Sequence, residues 1–254
     1  MFKWLHIGLL LLLWIPVSSW AADDLLPGII STLEIPFKAQ SPENLRIRDF
    51  QAEFFQESHI AAIDRTQHGK GHVSFKFLTD PEEDSSTASF RWEYREPAVQ
   101  EIISDGQTLW VYLPENRQVI ESDLRQVNAR QGENPITFLS GLGDLSRDFV
   151  IALDSAGTDE DGNYLLLLEP RKESQLIRRM TVVVSRKAVD DWLARRQTGK
   201  VFPILSTRVT DALGNQTWIA FQNLEVNKGF ADNEFSFTKP EGVEVVRPEE
   251  QLNF

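Results

Sequence analysis

The chain contains no cysteine. That excludes disulfides, Cys-ligated zinc, iron–sulfur clusters, thiol nucleophiles and every lipid anchor attached through a thiol. Positive charge is also short: Lys+Arg 26 against Asp+Glu 38 gives a net charge of −12. A basic nucleic-acid footprint and a polybasic membrane anchor are therefore not expected, so neither nucleic acid nor an anionic bilayer is an expected partner. No G-x-S-x-G elbow and no glycine-rich phosphate loop is present. What is present is apolar: 41% of 254 residues are hydrophobic, enough for a core, and the aromatics are Phe 16 and Trp 7 against Tyr 3. No Pro/Gly/Ser-rich linker and no fixed-period repeat divides residues 22–254, which read as a single domain.

One long apolar run exists, Trp4 to Val17, after Met1-Phe2-Lys3. As a helix it reaches about 21 Å, short of the ~30 Å hydrocarbon core of a bilayer. Small residues follow at Ser19 and Ala21. One positive charge, a short apolar stretch and a small-residue site make residues 1–21 a secretory signal peptide. A cysteine-free exported chain fits the periplasm of a Gram-negative bacterium. With no cysteine at the cleavage site for lipid attachment, the exported protein is expected to be soluble.

Leu25, Leu26, Ile29, Ile30 and Leu33 form one helical stripe, with Pro27 placed in the first turn and Pro36 stopping the helix. The period then becomes two. Phe50, Ala52 and Phe54 alternate with polar residues, as do Val73, Phe75 and Phe77, and then Phe90, Trp92 and Tyr94. Leu109–Leu113 is apolar on both faces, and Val119-Ile120, Tyr164–Leu168, Met180–Val184, Thr217–Phe221, Leu224–Val226 and Phe235–Phe237 read as further strands. Short spacings with turn residues between them favour antiparallel hairpins. A second helix is expected mid-chain at Pro135–Leu142, capped from Asn134. The expectation is an α+β fold: one curved antiparallel sheet of about ten strands, helices on one side.

Sites for chemistry fail one by one. His68 and His72 are spaced for a metal on a helix, but Gly69 and Gly71 make the segment a loop or strand start, where the spacing does not converge. Asp159-Glu160-Asp161-Gly162-Asn163 places Gly157 and Leu168 where a calcium loop needs Asp and Glu, so a polar hairpin tip is expected. Asn215-Gln216-Thr217 is formally a glycosylation sequon but also a hairpin turn. No nucleophile, base and orienter assemble, and no cofactor or metal is implied. The aromatic strands stand out instead. By pattern alone they read as an ordinary core, with a ligand cavity as the alternative.

Beyond pattern, the residues resemble a known family. Phe90-Arg91-Trp92-Glu93-Tyr94, Pro97, Ser104-Asp105-Gly106, Leu109-Trp110-Val111-Tyr112 and Pro114 follow in order, then Asn134-Pro135 with Phe138-Leu139. A second block runs from Thr210-Asp211-Ala212-Leu213-Gly214-Asn215 through Phe221, Asn223 and Asn227 to Phe235–Val245. This order resembles the outer-membrane lipoprotein carrier (LolA) family across most of residues 45–246. The resemblance implies an unclosed β-barrel with a lid of short helices over an apolar cavity, and no enzyme activity. It implies a monomeric carrier that takes acylated lipoproteins from an inner-membrane ABC transporter to an outer-membrane lipoprotein receptor. It implies a cavity lined by Phe75, Phe77, Phe90, Trp92, Tyr94, Trp110, Tyr112, Phe138 and Leu139. The receptor of the same fold is itself a lipoprotein, a role the missing cysteine opposes. The alternative is a periplasmic lipid- or lipoprotein-binding sensor module on this fold. Two departures stand out: the family carries a lid-bonding Arg shortly before Phe90, whereas residues 80–89 are acidic with no Arg, and residues 186–200 read as an enlarged connection.

Overall fold

The computed structural model describes residues 22–78, 87–124, 138–195 and 201–247. The signal segment 1–21, most of the acidic stretch 80–89, Asn134-Pro135 and the end of the 186–200 connection lie outside the described residues.

Among the described residues, twelve strands form one sheet. In chain order they are β1 (Asp49–Ile60), β2 (Arg65–Leu78), β3 (Thr87–Glu96), β4 (Gln100–Ser104), β5 (Thr108–Leu113) and β6 (Gln118–Asp123). Then come β7 (Phe149–Thr158), β8 (Tyr164–Pro170), β9 (Arg179–Val184), β10 (Ile204–Thr210), β11 (Gln216–Val226) and β12 (Glu244–Val246). The order across the sheet is β12-β6-β5-β4-β3-β2-β1-β11-β10-β9-β8-β7, so β7 and β12 are edges and the barrel does not close. Every pairing is antiparallel except β12 on β6. Inward-facing residues from β7 to β5 nevertheless join one buried cluster, so the sheet wraps around a common interior.

The sequence expectation of about ten strands needs three amendments. Thr217–Phe221 and Leu224–Val226 are one strand, β11, carried through Asn223 in a left-handed conformation (φ 52) opposite a register shift in β1. An Asn tolerates that conformation because its short amide bonds locally, here to Glu53. Phe235 ends a 3-10 turn (Asp232–Phe235), and the residues after it run on as coil, so Phe235–Phe237 is not a strand. Strands β4, β7, β10 and β12 are additional.

Among the described residues, three α-helical segments accompany the sheet: α1 (Ala22–Glu34), the single turn α2 (Leu145–Asp148) and α3 (Arg186–Arg195). Helix α1 begins before its apolar stripe, so Pro27 is its sixth residue rather than part of its first turn. Pro36 stops it as expected, and a 3-10 turn over Ile35–Phe37 follows. The mid-chain helix is a 3-10 run over Phe138–Asp144 leading into α2. Helix α3 occupies the connection after β9; Ser185 bonds the Ala188 N–H through its hydroxyl and the Val189 N–H through its carbonyl. Its buried residues, Ala188, Val189 and Trp192, lie on one face.

The motif turns are explained by backbone demand. Asp211 accepts the Leu213 and Asn215 N–H groups at one oxygen and the Asn215 amide at the other, and Asp159 accepts the Asn163 N–H at one oxygen and its amide at the other. The glycines between them, Gly214 and Gly162, hold φ of 85° and 81°. Both loops are therefore hairpin tips in which the Asp159 and Asp211 carboxylates are already engaged. The amide oxygen of Asn215 also holds the Ala61 N–H.

Candidate functional site

The inner face of the sheet is an aromatic wall. Strand alternation places Phe50 and Phe54 on β1, Val73, Phe75 and Phe77 on β2, and Phe90 and Trp92 on β3 in one buried surface. Register lines them up: Phe50 opposes Phe75, which opposes Phe90, while Val73 opposes Trp92. The rings stack, with centroids 5.1 Å apart for Phe50–Phe75 and 5.3 Å for Phe75–Phe90. Trp92 meets Phe54 edge-on at 4.9 Å and Phe221 at 6.3 Å. Across the floor, Leu166, Leu168, Met180, Val182 and Ile204 complete the wall in aliphatic side chains.

Layers run along β3. Tyr94, half-buried, stands toward the strand's open end, where its hydroxyl donates to Gln56 Oε1 at 2.8 Å. Burial pushes the Tyr94 phenol up to about 12. Gly69 and Gly71 make room for this corner. A Cβ on Gly69 would lie 3.3 Å from the Tyr94 ring, and one on Gly71 only 1.9 Å from the Glu93 carbonyl oxygen. The His68–His72 segment is thus the middle of strand β2, not the loop or strand start that its glycines suggested. Two residues inward from Tyr94 is Trp92, then Phe90, then Ala88.

A helical cover closes the far end. Phe37, just after α1, packs on Phe77 (4.6 Å) and Phe202 (5.9 Å), and Phe202 lies 4.0 Å from Phe50. Phe138 and Leu139 are buried in the same cluster, Phe138 edge-on to Phe149 at 6.0 Å. Helix α1 packs on α3 with Gly28 against Leu193, where a Cβ would come within 2.7 Å of Leu193 Cδ2. The buried Glu34 carboxylate accepts the Ser146 N–H at 2.6 Å, tying α1 to α2. The seam from cover to wall at Phe37, Phe77, Phe202 and Phe50 is therefore ring against ring, a contact that an alkyl chain can replace.

Of the nine residues expected to line a cavity, seven meet here: Phe75, Phe77, Phe90, Trp92, Tyr94, Phe138 and Leu139. Trp110 and Tyr112 do not. Ser104 pairs with both Phe90 and Leu109, which puts Leu109 and Val111 on the inner face and turns Trp110 and Tyr112 outward. There they pack on Phe237 at 6.2 and 5.5 Å, under the C-terminal strap, and Trp110 donates its N–H to Glu121 Oε2. Arg247 donates to the same carboxylate and, with Trp110, lowers the Glu121 pKa against its partial burial. The strap is fixed by Arg91, which donates to the carbonyls of Glu234 and Ser236 and bonds Glu101.

Sequence reading missed Phe37 and Phe202 as site residues. Each is an isolated aromatic beside a proline, Pro36 and Pro203, with no periodic pattern around it. Those flanking prolines are the one signal, marking chain that turns back onto the wall rather than extending past it. On the outside, a groove of about 340 Å³ runs beside half-exposed Phe55 and Trp218.

The site is thus a wrapped, unclosed sheet with an aromatic interior, covered by short helical segments through ring contacts. The chain matches the family "Outer membrane lipoprotein carrier protein LolA" over residues 46–238. It belongs to that family. It is 30% identical over 162 residues to an outer-membrane lipoprotein carrier protein of Chromobacterium violaceum, a match covering 62% of this chain and 66% of that relative, just under two thirds. It is 25% identical over 229 residues to that of Chromohalobacter salexigens, covering 87% of this chain and 95% of the relative. It is also similar to a solved LolA superfamily protein of Nitrosomonas europaea, at a TM-score of 0.38 and 15% identity over 85% of this chain and 97% of that one.

Proposed function

We propose that this protein is a periplasmic carrier that holds the acyl chains of lipoproteins in its aromatic interior and moves them from the inner to the outer membrane. The observation that carries the reading is the seam of Phe37, Phe77, Phe202 and Phe50, which joins the helical cover to the apolar wall through ring contacts. Each CH₂ left in water costs ~0.8 kcal/mol, so a chain of about fourteen costs roughly 11 kcal/mol and a soluble carrier has to bury most of it. Rigid rings supply that surface with few polar atoms to leave unpaired. Cargo enters the interior by displacing the cover. That competition also permits release: a cover that recloses on the empty wall offsets part of the affinity.

The relatives' shared name, outer-membrane lipoprotein carrier protein, supports acylated lipoproteins as cargo. The donor is an inner-membrane lipoprotein-releasing transporter, and the acceptor an outer-membrane lipoprotein receptor. Among the described residues no helix is long and apolar enough to cross a membrane. The function is carriage without catalysis, with residues 1–21 as the cleaved export signal. The test is native mass spectrometry of the protein purified from a periplasm without detergent. A stoichiometric acylated lipoprotein adduct is expected; a protein free of acylated adducts from lipoprotein-replete cells contradicts the reading.

A further inference from the structure

Among the described residues, the polar side chains on the inner faces of β1 to β4 are engaged with one exception. Tyr94 and Gln56 bond each other, and the Ser104 hydroxyl holds the Gly106 N–H. Trp110, on the outer face, has Glu121. Among the described residues the indole N–H of Trp92 has no hydrogen-bond partner, although Trp92 is 0% exposed. A buried donor without an acceptor is costly and rare in folded proteins. A phenylalanine would fill the wall without that penalty.

The position of Trp92 suggests what the donor is for. It lies one inner-face step, roughly 7 Å of strand, below the Tyr94–Gln56 pair at the open end. Beyond it run Phe90, Phe75 and Phe50, with no polar wall between them. A fatty chain lying along those rings would carry its only polar atom, the acyl carbonyl, at the end nearest the rim. Trp92 sits where apolar wall meets rim.

Resting on the carrier reading, we propose that the Trp92 indole N–H is a cargo-recognition group that donates a hydrogen bond to an acyl carbonyl of the bound lipid. It acts as a gauge of chain seating: the donor is satisfied only when a chain has entered to its carbonyl. Acylated ligands are thereby distinguished from bare hydrocarbon of the same length, which the rings alone would accept equally.

The test replaces Trp92 by 3-benzothienylalanine, introduced at that codon alone, which puts sulfur in place of N–H and keeps the bicyclic shape. Affinities of wild type and variant are measured for a synthetic tripalmitoyl-cysteinyl peptide and for its analogue with both glyceryl esters replaced by ethers. A loss of about three- to ten-fold for the ester probe, with the ether probe unchanged, assigns the bond to an ester carbonyl. An equal loss for both probes assigns it to the amide carbonyl that they share. Unchanged affinity for both overturns the proposal and leaves the carrier reading standing, whereas failure of wild type to bind either probe overturns the carrier reading itself. Melting of the empty protein gives an independent check. Removing an unpaired donor leaves the melting temperature equal or higher; a clear fall shows that the N–H is used inside the empty fold, for example on a phenyl face, and overturns the proposal.

Discussion

Truncating Phe37 separates a lid from a wall. Phe37 is 3% exposed and packs on Phe77 and Phe202, so Phe37→Ala removes a buried ring, at a cost of about 3–5 kcal/mol. If cargo displaces the cover, those contacts exist only in the closed state. The lower figure, ~3 kcal/mol, then moves the closed-to-open equilibrium by about a hundred-fold, since 1.4 kcal/mol is a decade. Apparent affinity for a carrier that is closed when empty equals intrinsic affinity scaled by the open fraction. Phe37→Ala should therefore melt about 6–12 °C lower and yet bind a tripalmitoyl lipopeptide more tightly, up to the limit where the open state dominates. Differential scanning fluorimetry and a fluorescence titration on the same samples measure both. Phe75→Ala is the control: it lies in the wall in both states and should lose stability and affinity together. Weaker binding by Phe37→Ala, in step with its melting temperature, would refute the reasoning and make Phe37 part of the wall.

Three further outcomes follow from the geometry. Trp110→Ala should cost about 2 kcal/mol by urea unfolding, through lost packing on Phe237 and the lost bond to Glu121, while leaving lipopeptide affinity unchanged. Gly71→Ala should cost more than about 4 kcal/mol in the same assay, because its Cβ meets the Glu93 carbonyl oxygen at 1.9 Å and forces β2 from β3. Burial holds the Tyr94 phenol at about 12 in the folded state, against ~10 unfolded, so its contribution is full below pH ~10 and fades as pH rises toward 12. Unfolding free energies should therefore fall by about 1–3 kcal/mol across that window in wild type, and Tyr94→Phe should remove this part of the slope.

What the sequence showed and what it hid have physical causes. Strands β1, β2 and β3 carry one apolar face each, so period-two alternation names their inward residues directly, and Phe75, Phe77, Phe90 and Trp92 are all where alternation puts them. Strand β5 is apolar on both faces, and alternation cannot say which face is in. The answer lies in the β4–β5 register at Ser104 and Leu109, and in the strap that brings Phe237 over Trp110 and Tyr112. Helix α3 hides because five of its ten residues are charged; its signal is only Ala188, Val189 and Trp192 at helical spacing behind Ser185. The cover's contacts are the least legible. Phe37 and Phe202 are single rings outside regular elements, and their role comes from long-range packing rather than from any local pattern. The family's lid-bonding Arg has no counterpart in residues 80–89, and the cover is seated by aromatic contact at Phe37 and Phe202 with Glu34 joining its two parts.

Carriage of acylated protein through water is tested with bacterial spheroplasts that display newly acylated lipoprotein, incubated with the purified protein and then sedimented. Lipoprotein is expected in the supernatant, co-eluting with this protein in a one-to-one complex. Lipoprotein that stays in the pellet at every concentration of a folded protein would contradict it.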